Sequence, residues 1–234
     1  MKITITLIKK GTLLVACLLA LAACEEQQPA ATQESVADAP RISSPPQPAD
    51  ISAYSAVTDD RLLNPEPENW LMFRRTYDGQ GYSPLDEINA DNVGNLRFAW
   101  SMSTGLTEGH QSPPIVNNGI MFVTTPLNHV IAVDAATGDG LWEYSRQLPF
   151  DISLIHPTNR GVALYGDKVY MATSDANVVA LDARSGEVIW EQPVADYRNG
   201  YYMTLAPLPA EGKILVGVSG GERGIRGFIT ALDA

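Results

Sequence analysis

One short stretch near the end of the chain places glycine, a hydroxyl and a carboxylate side by side. GVSGGERGIRG, residues 217–227, holds Ser219, Gly220, Gly221 and Glu222 between two runs that read as strand, KILV and FITA. Glycine weakens a strand, and it marks a place where another backbone or a ligand comes close. A carboxylate beside such a clearance is a hard oxygen donor of the kind that binds Ca²⁺. On composition alone, though, Glu222 reads as a solvated hairpin residue. Arg160, in the triplet Asn159-Arg160-Gly161, carries a planar fork that can hold a carboxylate through two parallel N–H bonds. Its bland alternative is a surface arginine in a turn. His110 and His156 stand near these motifs, and His129 opens a strand-like run and reads as structural. No Cys/His spacing for zinc and no CxxCH for covalent haem is present.

The elements that must position these residues are short strands. From Trp70 onward, β-like runs alternate with the turn signals NNG (117–119), YGD (165–167) and EGK (211–213). IAVDAATGDGLW, ending at Trp142, is repeated as VALDARSGEVIW, ending at Trp190, and TALDA opens a third copy. A period in the forties with four short strands per unit is the signature of propeller blades. The fold class expected is therefore all-β, a partial β-propeller of about three four-stranded blades. PPIV, IMFVTT, HVIAVD and GLWEYS form one blade. GVALY, KVYMATS, NVVALD and EVIWEQ form the next, and TLAPLP, KILVGVS and GFITALDA belong to the third. The repeated Trp reads as packing between blades. Three blades cannot close a ring, so the chain reads as the front of a longer protein.

WLMFRRTYDGQGYSPLDEINADNVGNLRFAW (70–100), with Asn159-Arg160-Gly161, Thr204-Leu205-Ala206-Pro207 and SGGE in order behind it, resembles the quinoprotein alcohol dehydrogenases. These are eight-bladed propellers that use pyrroloquinoline quinone (PQQ). The resemblance spans residues 70–234. It implies PQQ as cofactor, held by Gln111, Arg160, Thr204 and Ser219, with Gly220 and Gly221 clearing its face. It implies Glu222 as a ligand to Ca²⁺, a lanthanide not being excluded. It further implies a small alcohol as substrate and a cytochrome c or quinone as electron acceptor. Two positions depart from the family pattern. Gln111 stands where many relatives have glutamate. Leu154-Ile155, followed by His156, stand where relatives often carry two adjacent cysteines. The family's general base lies further on, so no catalytic residue is assigned within residues 1–234, and the chain alone is expected to be inactive. A second class of protein shares several features: the cofactor-free lipoprotein scaffolds of outer-membrane protein assembly, which also carry PQQ-like repeats. A scaffold has no use for NRG, TLAP and SGGE together.

The N-terminus reads as an export signal. A basic head, MKITITLIKK, precedes the apolar run GTLLVACLLALAA, too short for the roughly 20 helical residues that cross a bilayer. The run ends in Leu21-Ala22-Ala23-Cys24, which resembles the bacterial lipobox. Residues 1–23 are then a signal peptide, and Cys24 is the lipid-bearing residue. Residues 24–64, rich in Pro, Ala, Gln and acids, read as a flexible tether, and residues 65–234 as the folded part. The protein is thereby expected on the periplasmic side of a bacterial membrane, anchored by lipid, the outer membrane being indicated by Glu25. Cys17 and Cys24 are the two cysteines of the chain, so the exported domain has no disulfide. The net charge of −11 argues against a nucleic-acid partner, which needs a basic footprint.

Overall fold

The computed structural model describes residues 51–234. The expected signal peptide, Cys24 and the tether as far as residue 50 lie outside the described residues. Among the described residues, eleven strands form three antiparallel sheets. The first comprises β1 (Ile115–Asn117), β2 (Ile120–Thr125), β3 (His129–Asp134) and β4 (Gly140–Ser145) in that order. β5 (Ala163–Tyr165), β6 (Lys168–Ala172), β7 (Asn177–Asp182) and β8 (Val188–Pro193) repeat the order in the second. The third holds β9 (Leu208–Ala210), β10 (Lys213–Gly217) and β11 (Ile229–Asp233). The registers coincide: Ile120 faces Asp134, Lys168 faces Asp182 and Lys213 faces Asp233. The first two sheets shift register at the same place, Ala132/Val133 and Ala180/Leu181. The three-blade parsing is thus realised strand for strand. The tight first hairpin follows from NNG, because Asn118 (φ 52°) and Gly119 (φ 77°) both take the left-handed conformation that suits the twist of the flanking strands.

Alternation along the strands puts two apolar faces on the middle blade. Val169, Met171, Val179 and Leu181 pack toward the first blade with Ile115, Ile120, Phe122 and Val130. Tyr170, Ala172, Val178 and Ala180 pack toward the third with Met203, Ile214 and Val216. The repeated tryptophans join neighbours, as expected. Trp142 Nε1 donates to the Ala183 carbonyl at 3.0 Å, and its ring covers Gly186, where a Cβ would lie 2.6 Å from the indole. Trp100 does the same to the first blade, donating to the Ala135 carbonyl at 3.2 Å over Gly138.

The expected tether does not extend to residue 64. A 3₁₀ turn (Ile51–Ala53) and helix α1 (Asp59–Leu63), capped by the Thr58 hydroxyl, lie against the blades with Tyr54, Val57 and Leu62 buried. Val57 and Gly166 exchange backbone bonds of 2.9 and 2.7 Å. Asp59 accepts from Tyr165 Oη and from the Glu211 amide, each at 3.0 Å. Arg61 donates to Asn117 Oδ1 at 2.9 Å and pairs with Glu66 at 2.7 Å. One segment therefore touches the first hairpin of every blade. Burial of three spaced apolar residues between blades carries it, a pattern with no helical or strand period to reveal it. The chain then bridges Trp70 to Val116 along the edge of β1 and buries Leu71 and Met72. Residues 82–98 hold no strand, and Tyr82, Ile88 and Phe98 are exposed.

Candidate functional site

The first strand of each blade runs away from one end of the sheets toward the hairpin turns that the N-terminal segment covers. The residues leading into those strands gather at the opposite end, together with the β10–β11 connection. Arg160 sits just before β5. Its amide donates to the Thr204 carbonyl at 2.9 Å, and its guanidinium donates to Thr204 Oγ1. Thr204 is buried just before β9. The backbones of Tyr202 and Ser219 bond reciprocally at 3.2 and 2.8 Å, so Ser219 is held beside Thr204's own segment. Arg160, Thr204 and Ser219 are in this way brought to one edge across two blades.

The two glycines of SGGE do different things. Gly220 (φ 129°) is buried, and a Cβ on it would strike the Gly200 carbonyl and Ile225. Its clearance admits the neighbouring loop's backbone. A Cβ on Gly221 would meet nothing within 4 Å, so this residue presents a bare backbone face to open space. Glu222 follows, exposed, and accepts a hydrogen bond from Tyr202 Oη. That bond, reinforced by the residue's own backbone amide and by Arg223 and His156, holds the Glu222 carboxyl below the usual carboxylate range. Burial, and then the Glu222 charge, push the Tyr202 phenol up. The site carboxylate is therefore ionised and oriented, as a cation ligand must be. Among the described residues, no three His, Cys, Asp or Glu side chains come together around it.

Tyr202 was not singled out in the sequence. Its signal was its place two residues before Thr204 on a segment already implicated. Gln111 is exposed, and its neighbour Ser112 carries the Oγ that lies 3.6 Å from where a Gly161 Cβ would be. Gln111 is thus on the strand lead-in next to Arg160's. His110 bonds Thr104 Oγ1 at 2.8 Å. His129 bonds Ser145 Oγ at 2.8 Å across β3–β4, a structural place. An apolar cavity of 340 Å³ adjoins Arg160, lined by Met72, Phe73, Tyr77, Leu205 and Pro207 among others. This donor set fits a flat, multiply carboxylated cofactor: a guanidinium and two hydroxyls at an edge, a bare glycine on a face and an ionised carboxylate beside it.

Residues 70–200, more than half of the chain, match the family model described as the β-propeller domain of PQQ-dependent glucose/ethanol/alcohol dehydrogenases. The chain belongs to this family. Quinoprotein ethanol dehydrogenase of Pseudomonas aeruginosa is 44% identical over 193 residues, covering 79% of this chain and 30% of the relative. Quinoprotein alcohol dehydrogenase PedH of Pseudomonas putida is 41% identical over 187 residues, covering 78% and 31%. Among solved structures, the quinohemoprotein alcohol dehydrogenase ADHIIG of Pseudomonas putida superposes with a TM-score of 0.72 at 38% identity, covering 79% of this chain and 28% of that one. A europium-containing methanol dehydrogenase superposes with a TM-score of 0.70 at 39% identity, covering 74% and 32%. The chain spans less than a third of the length of each of these PQQ family members. The scaffold alternative is not favoured, since the family model and the relatives at 38–44% identity are dehydrogenases.

Proposed function

We propose that this chain is the N-terminal portion of a PQQ-dependent alcohol dehydrogenase that works with Ca²⁺ or a lanthanide. The observation that carries the proposal is the convergence of Arg160, Thr204, Ser219, Gly221 and Glu222 at one end of three blades in a chain of this family. PQQ held by Arg160, Thr204 and Ser219 beside a cation on Glu222 would supply an electrophilic quinone able to accept the alcohol's electrons. The residues of this chain bind and orient. Arg160 would grip a carboxylate edge, its guanidinium held in place by its bond to Thr204 Oγ1. Ser219 adds a hydroxyl donor. Gly221 lets the backbone lie against a ring face. Glu222 would supply an oxygen ligand to the cation, its carboxylate held by the hydrogen bond from Tyr202 Oη. Gln111 replaces a charge with an amide that still hydrogen-bonds. The substrate is a small alcohol, and the electrons leave to a cytochrome c or a quinone. The basic head, the short apolar run and Leu21-Ala22-Ala23-Cys24 support a lipid-anchored protein on the periplasmic side of the membrane.

The test uses the full-length protein that contains this chain. PQQ and Ca²⁺, or PQQ and La³⁺, are added to the apo-protein, and the quinone absorbance is followed. A red shift with saturation is expected. Arg160→Lys, which loses a bidentate bond, should weaken PQQ about ten- to a hundredfold, and Glu222→Ala, which removes an oxygen ligand, should weaken cation binding and lose the red shift. Equal PQQ uptake by wild type and both variants would overturn the assignment.

A further inference from the structure

The direction in which Arg160 points is set by its two flanking peptide groups, and both are pinned. Its own amide donates to the Thr204 carbonyl at 2.9 Å in the third blade. The next amide, of Gly161, donates to Asn159 Oδ1 at 2.9 Å. Gly161 has φ 126°, so the turn is closed by a residue that accepts such a conformation and by the Asn159 side chain. Asn159 is 1% exposed. Its Nδ2 donates to the Ala172 carbonyl at 2.9 Å, at the end of β6, and to Asn128 Oδ1 at 3.2 Å. Asn128 belongs to the first blade, in the β2–β3 turn, fully buried and left-handed at φ 63°. Asn128 Nδ2 donates to Ser174 Oγ at 3.0 Å, in the β6–β7 turn of the second blade. The same junction is bound by Leu127 N to the Pro157 carbonyl at 2.8 Å and by Arg146 to Asp175 at 2.8 and 2.6 Å.

We infer that Asn128 and Asn159 are positioning residues for the cofactor edge: a buried amide ladder that makes the aim of Arg160 depend on how the first blade docks on the second. The ladder is buried, and its side chains bond one another and the backbone. It satisfies every polar atom it uses and spans a blade junction, and its last rung is the peptide that orients Arg160. A buried amide left with one partner fewer either drags its neighbours or stays unsatisfied, so loosening Asn128 reorients Asn159 and then the Gly161 amide. Coupling of this kind is reciprocal: a ligand held by Arg160 tightens the junction between the first two blades.

The inference rests on the PQQ reading above, and the experiment separates the two. Asn128→Gly keeps the left-handed turn and removes the amide. PQQ affinity of the full-length apo-protein is measured by quinone absorbance well below the melting temperature, in parallel with melts with and without PQQ. The expected result is a PQQ Kd raised about tenfold in a protein that is still folded, with a smaller melting shift on PQQ addition than in wild type. Ser174→Ala, which removes the partner that holds Asn128, should move the Kd in the same direction by less, and it decides the matter if Asn128→Gly fails to fold. A lower apo melting temperature with an unchanged Kd would mean that the ladder only holds blades together, and would overturn the inference. A wild-type protein that takes up no PQQ would overturn the cofactor reading, and this inference with it.

Discussion

Adding one methyl group at Gly186 tests the logic of blade docking directly. Gly186 has φ 74° and lies under the Trp142 indole; a Cβ would sit 2.6 Å from Cε3 and 2.8 Å from Cδ2. Gly186→Ala therefore costs twice. An L-residue in the left-handed region costs about 1 kcal/mol. The indole must also move by the better part of an ångström, which breaks its bond to the Ala183 carbonyl and strands a half-buried donor, about 1–3 kcal/mol. The expected loss is about 3 kcal/mol. Gly166→Ala is the internal control. Gly166 has φ 58°, and nothing lies within 4 Å of its Cβ position, so its loss should be about 1 kcal/mol. Urea unfolding followed by tryptophan fluorescence reads both, the midpoint separating by about 2 kcal/mol once multiplied by an unchanged slope. Equal losses for the two variants would refute the claim that the repeated Trp–Gly contact docks the blades.

Two further expectations follow from the N-terminal region. Arg61, bonded to Glu66 at 2.7 Å, lowers the Glu66 carboxyl to about 2. A depressed folded value stabilises above the unfolded value of about 4.3 and is lost as pH falls toward 2. Since the Glu66 side chain is 40% exposed, screening reduces the contribution to about 1 kcal/mol; Glu66→Gln should destabilise by that amount at pH 7 and by clearly less at pH 2, where the carboxyl is about half protonated, read by urea midpoints at both. Cys24→Ser should abolish incorporation of a labelled fatty acid and release the protein from membranes, whereas persistent labelling would exclude Cys24 as the acylated residue.

The blades were readable because their determinants are short-range and repeated. Alternation in HVIAVD and NVVALD, turn residues in NNG and EGK, and the twice-used Asp-Thr/Ser-Gly-Trp pattern each act between adjacent strands. The site loops were readable as motifs, and the structure adds why some members are present: Gly220 clears the Gly200 carbonyl, whereas Gly221 is bare toward open space. What the sequence concealed acts at long range. Tyr54, Val57 and Leu62 are isolated apolar residues in a polar stretch, and nothing nearby explains them; their partners lie in blades that come later. Asn128 carries no motif of its own, because its partner Asn159 is 31 residues on and in another blade. Tyr202 was masked by its resemblance to plain strand aromatic character beside Tyr201.

The segment that covers the three hairpin turns also imposes an order of events. Asp59 waits for an amide 152 residues later in the chain, and Tyr54 for a carbonyl 112 residues later. Loop closure over such distances is slow compared with hairpin formation. In a chain delivered from its N-terminus, the first segment to emerge is therefore among the last to settle, and it closes only over blades that have already formed. Until then Tyr54, Val57 and Leu62 have no partners to bury against, so this segment settles last over hairpins that are already in place.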